Sequence, residues 1–281
     1  MDIRQALETA RGKLGSLAGT SSRLEAEILL AHALDVARSF LFANPEMQLT
    51  GKRCDLFNGL VDRRAGGEPI AYITGEREFW SLALKVTPDV LIPRPETELL
   101  VETALNIAPS KPGYRVADLG TGSGAVGLAL ATERPLWEIH GTDLSVAAIN
   151  VAQENAQRLG LNKVRFHCCS WASELSGKFH LLVSNPPYIP TGDPHLSMGD
   201  CRFEPVSALS SGEDGLEAIR AIAGEACSLL TSNGHLILEH GFNQGTEVWN
   251  ILESHGFCNI VAIKDLAGHD RVTAAQLPID V

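Results

Sequence analysis

Segments typical of strands and helices alternate from residue 114 to the C-terminus, and this alternation constrains the fold more than any other feature. The predicted strands are Arg115–Leu119, Glu138–Thr142, Val164–Cys168, His180–Ser184, His235–Glu239, Asn259–Lys264 and Val272–Leu277. Amphipathic segments such as Ser145–Leu159 and Gly215–Leu230 lie between them. Strands joined by helices form a mainly parallel sheet with helices on both faces. We therefore expect an α/β domain whose ligand lies at the carboxyl ends of the strands.

The first 69 residues have a pattern typical of helices instead. In a first helix, apolar side chains recur at helical spacing at Ile3, Ala6, Leu7, Ala10 and Leu14. A second helix is predicted with Ser21 or Ser22 as its cap and an apolar face of Leu24, Ile28 and Leu29. A third is predicted from Thr50 to the stop at Gly66–Gly67, with Leu56, Phe57, Leu60 and Val61. No catalytic cluster is visible here, so residues 1–69 are expected to form a small helical bundle that packs or docks.

Residues 70–92 differ in pattern from both neighbouring parts. Apolar residues partly alternate with polar ones at Tyr72, Phe79, Trp80, Leu82, Leu84 and Val86. Thr74–Gly75 has the composition of a turn, so a β-hairpin linker is expected over residues 70–92. Pro93 and Pro95 end the extended stretch, and a helix should begin near Glu96. The α/β domain then occupies residues 93–281.

Length and charge limit the classes of function. The chain has 281 residues, which favours about two domains, and a formal net charge of −11. Residues 1–75 are balanced in charge, so the rest of the chain holds the acidic excess. Because attraction to a phosphate backbone needs a basic face, a nucleic-acid substrate is disfavoured, although a local basic patch is compatible with an acidic total.

Cysteine usage indicates a reducing compartment. The six cysteines include no C-x-x-C pair, so neither a disulfide framework nor a zinc site is predicted. Cys168–Cys169 has two interpretations, a redox pair or thiols of a buried strand, and the second is favoured. The N-terminus lacks the apolar core of a signal peptide, and no apolar run reaches the ~20 residues of a membrane span. We expect a cytoplasmic protein without a bound metal.

A glycine-rich segment follows the first predicted strand of the α/β part. It reads Asp118-Leu-Gly120-Thr121-Gly122-Ser-Gly124 and leads directly into a helix. Glycines allow a tight turn close to a ligand, and the next strand ends at Asp143, where an acid can accept hydrogen bonds from ribose hydroxyls. A dinucleotide is one possible ligand, but the glycine spacing differs from G-x-G-x-x-G, and Asp118 suits a cationic amino-acid group. The pattern resembles the S-adenosylmethionine site of class I methyltransferases.

The fourth predicted strand of this part is followed by Asn185-Pro186-Pro187-Tyr188. An amide nitrogen is a poor nucleophile, because its lone pair is delocalised by a conjugation that costs about 18–20 kcal/mol to break. Two acceptors, the Asn185 side-chain oxygen and the Pro186 carbonyl, can draw the two N–H groups out of plane and expose the lone pair. Prolines stiffen this turn, and Tyr188 can cover one face of the planar group. The alternative is an ordinary turn that ends a strand.

With these motifs in place, the chain resembles the HemK/PrmC family of release-factor glutamine methyltransferases along nearly its whole length. The matching stretches are YITGEREFWSL, LIPRPETE, DLGTGSGAVGLALA, SNPPYIP, DPHLSMGDCRFEP, SGEDGL and LEHGFNQG. The N-P-P-Y motif is shared with DNA adenine and RNA guanine methyltransferases, whereas the P-R-P-E-T-E and R-F-E-P blocks are more selective. The resemblance implies a class I methyltransferase, Rossmann-like fold and a substrate glutamine in the Gly-Gly-Gln loop of peptide-chain release factors.

The resemblance also implies roles for particular residues. S-adenosylmethionine would be bound by Asp118, Gly120, Thr121, Gly122, Gly124, Asp143, Leu144, Trp171 and Asn185. The glutamine would be held by Asn185, Pro186, Pro187 and Tyr188, with Asn185, Pro186 and Tyr188 catalytic. Arg94 and Glu204 border the pocket without an assigned role. Relatives often have an acid where this chain has Ser170, which leaves recognition of the adenine amino group open, and a monomer is expected.

Three other functions remain open at this point. A nucleic-acid amino-methyltransferase would use the same N-P-P-Y chemistry but needs a basic cleft. A nucleoside-binding scaffold without activity is disfavoured by the intact Asp143 and N-P-P-Y motif. A haem-pathway oxidoreductase lacks a recognisable flavin fingerprint. His240 is expected to be structural, and Glu239 is expected to be a satisfied polar residue even if it faces the pocket.

Overall fold

The computed structural model describes residues 1–15 and 21–279. The chain divides into two compact units, Met1–Glu76 and Arg77–Val281. Residues 16–20 of the predicted helical domain and the last two residues of the α/β domain lie outside the described residues.

The first unit is helical, as the sequence predicts. Its helices are α1 (Ile3–Leu14), α2 (Ser22–Leu34), α3 (Arg38–Ala43), α4 (Gly51–Ala65) and α5 (Ile70–Thr74). At the start of α1, the Asp2 side chain accepts from the Gln5 amide, and the Gln5 side chain accepts from the Asp2 amide. This reciprocal cap satisfies two backbone donors that a helix leaves free. One face each of α1, α2 and α4 is buried in a common apolar core.

Parts of this unit differ from the prediction. Helix α3 was not predicted, and Leu24 and Leu56, assigned to apolar faces, are exposed. On α2 the buried face includes Glu27, because its carboxylate accepts hydrogen bonds from Arg23 and Arg38. Ion pairing of this kind offsets the cost of burying a charge, which an apolar pattern in the sequence does not reveal.

The expected hairpin is present but shorter, since Ile70–Thr74 is helical where an extended chain was predicted. Strands β1 (Glu76–Phe79) and β2 (Leu82–Lys85) form a two-stranded sheet. The turn between them is Trp80–Ser81, both with positive φ, and not Thr74–Gly75. Backbone amides of Trp80 and Ser81 donate to the carboxylates of Glu98 and Glu78, which stabilises a turn that non-glycine residues rarely form.

The second unit contains the predicted α/β sheet. Its elements are α6 (Glu98–Ile107), β3 (Arg115–Leu119), α7 (Ala125–Glu133), β4 (Glu138–Asp143), α8 (Val146–Arg158), β5 (Arg165–Cys168), β6 (Phe179–Ser184), α9 (Glu217–Leu229), β7 (Leu230–Glu239), α10 (Gly245–Ser254), β8 (Cys258–Lys264) and β9 (Asp270–Gln276). A short 3-10 turn, Pro95–Thr97, precedes α6, close to the predicted start of that helix. In the described part of the chain, seven strands pair in the order β5-β4-β3-β6-β7-β9-β8.

The strand directions confirm a mainly parallel sheet. Strands β3 to β7 pair in parallel, and β9 runs antiparallel to both β7 and β8. Two apolar clusters cover the sheet: one contains residues of α6 and α7, the other residues of α9 and α10. Strands buried on both faces explain the continuous apolar runs in the sequence. At β5 the prediction of buried thiols holds for Cys169 but is wrong for Cys168, which is exposed, and both are free.

No helix among the described residues has the length and apolar character needed to cross a membrane.

Candidate active site

A cavity lies where strands β3, β4, β5 and β6 end. Its volume is about 420 Å³, within the ~300–1,000 Å³ of typical ligand sites. Its wall comes from several loops: Asp89, Leu91, Pro93, Thr97, Asp118, Gly120, Thr121, Ser123, Ala125, Val126, Asp143, Leu144, Ser145, Ala148, Ser170, Trp171, Asn185, Pro187, Pro205, Ser207 and Ala208. A cavity is therefore present at the carboxyl ends of the strands, where the ligand was expected.

The glycine-rich loop turns sharply between β3 and α7. Gly120, Gly122 and Gly124 all have positive φ, which glycine adopts without strain. A Cβ on Gly124 would come within 3.0 Å of Leu128. A larger residue there would therefore push the loop away from α7, whereas the space at Gly122 is open.

Asp118 stabilises this loop through hydrogen bonds to its side chain. Its Oδ2 accepts hydrogen bonds from the Thr121 hydroxyl at 2.6 Å and the Gly127 amide at 3.0 Å. Burial raises the pKa of Asp118 to about 6, although these two hydrogen bonds act to lower it. One oxygen is thus already used inside the loop, so the residue shapes the site in addition to lining it.

Asp143 connects the glycine-rich loop to the start of α8. Its Oδ2 accepts from the Gly122 amide at 3.0 Å and its Oδ1 from the Ser145 amide at 2.9 Å. Each carboxylate oxygen can accept a second hydrogen bond. The side chain is half-buried and lines the cavity, so a pair of vicinal hydroxyls on a ligand would meet an acceptor that is already held in place.

The other walls suit a flat aromatic group. Trp171 lies close to Gly120, since its Cζ3 would be 3.4 Å from a Cβ built there. Leu144 and Ala148 add apolar surface, and Ser170 occupies the position at which the family often has an acid. Acceptors for ribose beside an aromatic ring and an aliphatic wall fit a nucleoside such as that of S-adenosylmethionine.

Asn185 lines the same cavity and directly follows β6. Its Nδ2 donates a hydrogen bond of 3.0 Å to the hydroxyl of Thr97, a residue 88 positions away in the chain. Among the described residues, no group donates to Asn185 Oδ1 or to the Pro186 carbonyl. Two acceptors are therefore available at this turn.

Tyr188 makes hydrogen bonds to two buried residues. Its hydroxyl donates to Glu239 Oε1 at 3.3 Å, and its backbone carbonyl accepts from Gln244 Nε2 at 3.0 Å. Burial raises the pKa of the Tyr188 hydroxyl, so it remains a donor. His240 is held between Gly241 and Thr273, which confirms the structural role expected for it.

An ion pair links the two loops that the resemblance singled out. Arg94 Nη2 lies 2.5 Å from Glu204 Oε2, and the Glu204 side chain is fully buried. Burial raises the pKa of Glu204, whereas Arg94 lowers it. The pair joins the P-R-P-E-T-E block to the R-F-E-P block beside the cavity.

The structure brings together most of the predicted site residues. Asp118, Gly120, Thr121, Asp143, Leu144, Trp171, Asn185 and Pro187 line the cavity, whereas Gly122, Gly124, Pro186 and Tyr188 are not part of its wall. The roles given to them stay predictions. Sequence reasoning missed Thr97, although it lies in the P-R-P-E-T-E block, which was the available signal.

Comparisons with known proteins agree with this architecture. A family model described as the PrmC N-terminal domain matches residues 5–75, and one described as a methyltransferase domain matches residues 110–259. Among solved structures, the human Mettl16 catalytic domain in complex with an RNA hairpin has a TM-score of 0.59 at 16% identity, covering 79% of this chain and 83% of that one. The Thermus thermophilus 16S rRNA methyltransferase RsmC has a TM-score of 0.53 at 20% identity, covering 72% of this chain and 49% of that one. These likenesses show the fold.

The fold and the site define an S-adenosylmethionine-dependent methyltransferase. Proteins named release factor glutamine methyltransferase are similar over nearly the full length: 49% identity for that of Vibrio cholerae (98% of this chain, 96% of the relative) and 46% for that of Coxiella burnetii (98% and 99%). The Escherichia coli protein of that name is 46% identical over 92% of this chain and 94% of its own. The chain belongs to the release factor glutamine methyltransferase family.

Proposed function

We propose that this enzyme transfers a methyl group to the side-chain amide nitrogen of the glutamine in the Gly-Gly-Gln motif of peptide-chain release factors. The names of the full-length relatives support glutamine methylation of release factors. The motif itself follows from the resemblance of the sequence to the family. The enzyme is proposed to act as a monomer in the cytoplasm.

The observation that supports amide chemistry most strongly is the orientation of Asn185. Because its Nδ2 donates to Thr97, its Oδ1 is left as an acceptor at the cavity wall. With the Pro186 carbonyl it offers two acceptors for the two N–H groups of a primary amide. Holding both hydrogens weakens the conjugation of the amide and directs the nitrogen lone pair into the cavity, a positioning effect that favours attack.

Other residues of the cavity wall are proposed to hold S-adenosylmethionine, which supplies an electrophilic methyl group. Asp143 accepts from the ribose hydroxyls, and Trp171 and Leu144 enclose the adenine. The glycine-rich loop around Gly120 allows close approach of the backbone. Ser170 replaces an acid, so adenine recognition relies on stacking and backbone contacts more than on a charged acceptor.

The helical residues 1–69 are proposed to dock the folded release factor, with 93–281 performing the chemistry. Specific protein complexes bury about 1,200–2,000 Å² in total, more than one loop inserted in a pocket provides. The helices contain no reactive cluster of their own. A second contact surface is therefore the simplest use for them.

Mass spectrometry of a release factor incubated with enzyme and labelled S-adenosylmethionine tests this function. We expect one methyl group on the Gly-Gly-Gln glutamine and none on a variant with alanine at that position. Chromosomal DNA and ribosomal RNA serve as parallel substrates. Equal labelling of the alanine variant, or efficient labelling of either nucleic acid in place of the protein, would overturn the proposal.

A further inference from the structure

A buried carboxyl group stands behind the catalytic turn at the carboxyl end of β7. Glu239 is 1% exposed and accepts from the Tyr188 hydroxyl through Oε1. The Thr97 hydroxyl lies near enough to lower the pKa of Glu239 as a hydrogen-bond donor. Glu239 Oε2, however, has no partner of good geometry among the described residues. The expectation that Glu239 is a satisfied polar residue is therefore wrong for one oxygen, and such a group needs an explanation.

The hydrogen bonds around Thr97 have a defined direction. A hydroxyl has one proton to donate, and an ionised carboxylate only accepts. Thr97 accepts from Asn185 Nδ2, which leaves its one proton for the neighbouring Glu239 carboxylate, whose Oε2 still lacks a partner. The two ends of an amide have nearly the same shape, so packing alone does not distinguish them. The negative charge of Glu239 distinguishes the two ends. Because the carboxylate only accepts, the Thr97 proton is directed to it, and Thr97 in turn accepts from the NH₂ end of the Asn185 amide.

We propose that Thr97 and Glu239 are positioning residues that fix which end of the Asn185 amide faces the substrate. The inference rests on the proposed function, since the orientation matters only if Asn185 Oδ1 accepts from the substrate amide. With the Asn185 amide reversed, its NH₂ group would point at the NH₂ group of the glutamine. The site would lose one of its two acceptors and gain a repulsive contact.

The protonation state of Glu239 gives this arrangement a pH dependence. The groups that face it are Tyr188 from the turn after β6, Arg271 from β9, and Glu96 and Thr97 from the turn before α6. Burial raises the pKa of Glu239 to about 7, while Thr97, Arg271 and Tyr188 oppose the rise. Once protonated, Glu239 can donate to Thr97, which is then free to donate to a reversed Asn185. We expect kcat to fall as the pH drops through about 7.

Three threonine variants test the hydroxyl of Thr97. Thr97→Val keeps the shape but removes the donor, and kcat should fall by about 10²-fold, as for a misplaced reacting group. KM for the release factor and the affinity for S-adenosylmethionine should not change. Thr97→Ser should restore most of the kcat. Thr103→Val, which removes another buried hydroxyl on the following helix α6, controls for the structural cost.

A fourth variant, Glu239→Gln, tests the charge. An amide can donate or accept at any pH, so kcat should be lowered and the inflection near pH 7 should disappear. Circular dichroism establishes that each variant is folded. A kcat for Thr97→Val within a few-fold of wild type would overturn the inference, as would an equal loss in Thr97→Ser or an unchanged pH profile in Glu239→Gln.

A double-mutant cycle separates this inference from the proposed function. If Thr97 acts through Asn185, Thr97→Val should lower single-turnover rates no further in an Asn185→Ala background. Additive losses would refute the positioning role. If Asn185→Ala alone keeps its turnover, the amide chemistry fails instead, and if wild-type enzyme labels no glutamine, the substrate assignment fails.

Discussion

Replacing Asp143 by alanine should weaken binding of S-adenosylmethionine without unfolding the enzyme. The carboxylate holds two backbone amides, those of Gly122 and Ser145, and presents its remaining acceptor capacity to the cavity. Hydrogen bonds to a charged group contribute about 1.5–3 kcal/mol. Loss of the ribose contact should therefore raise Kd by roughly ten-fold to 150-fold.

The same substitution has a separate local cost. Gly122 and Ser145 lie in a half-buried region, so water can replace the lost acceptor, and the stability should fall by about 1 kcal/mol. For a unit of this size that corresponds to about 2–4 °C in Tm. Asp265→Ala is a matched control, because Asp265 also accepts from two backbone amides, those of Ala267 and His269, but does not line the cavity.

Isothermal titration calorimetry with S-adenosylmethionine and S-adenosylhomocysteine, alongside thermal melts, measures both effects. Asp265→Ala should lower Tm by a similar amount and leave Kd unchanged. A folded Asp143→Ala protein with wild-type Kd would remove this residue from the cofactor site. An equal loss of affinity in the control would show that loop stability, and not the ribose contact, sets the affinity.

Three other outcomes are expected. Asn185→Ala should lower kcat by about 10²–10³-fold, as for loss of one preorganised partner, with calorimetric cofactor affinity intact; turnover close to wild type would contradict the amide clamp. A chain beginning at Arg77 should bind cofactor and methylate a short glutamine peptide weakly, but lose most kcat/KM on the intact release factor. Undiminished activity of a well-folded truncation would refute docking, whereas an early melt by circular dichroism would indicate that the helices only stabilise. Because burial raises the pKa of Glu239 from 4.5 to about 7, its contribution to stability is fully present below pH 4.5 and is lost as the pH rises to about 7. Tm should therefore fall less between these two pH values in Glu239→Gln than in the wild type, and equal falls would contradict this.

Many elements of the fold depend on residues that are close together in the chain, so the sequence was sufficient to predict them. Apolar residues placed all seven strands of the main sheet to within five residues at each end. The signal is strongest in β3 and β6, which are buried along almost their whole length. Gly120, Gly122 and Gly124 marked the sharp turn between β3 and α7, since glycine adopts positive φ with the least strain. Asp143 ends β4 and Asn185 directly follows β6, and both were found because these strand ends were predictable.

Local patterns failed where distant side chains decide the conformation. The Trp80–Ser81 turn has no glycine and depends on the carboxylates of Glu78 and Glu98. Glu27 is buried on a helix face assigned to apolar residues because Arg38, on another helix, pairs with it. Neither arrangement leaves a periodic trace in the sequence.

The inner part of the active site was decided by tertiary structure alone. Thr97 meets Asn185 across 88 residues, and Glu239 meets Tyr188 across 51. The sequence was sufficient to predict that Asn185 directly follows a strand, because the end of that strand depends on neighbouring residues. Which of its amide atoms faces the cavity depends on the direction of hydrogen bonds and on a buried charge, and these exist only once the strands β6 and β7 and the turn before α6 have been brought together.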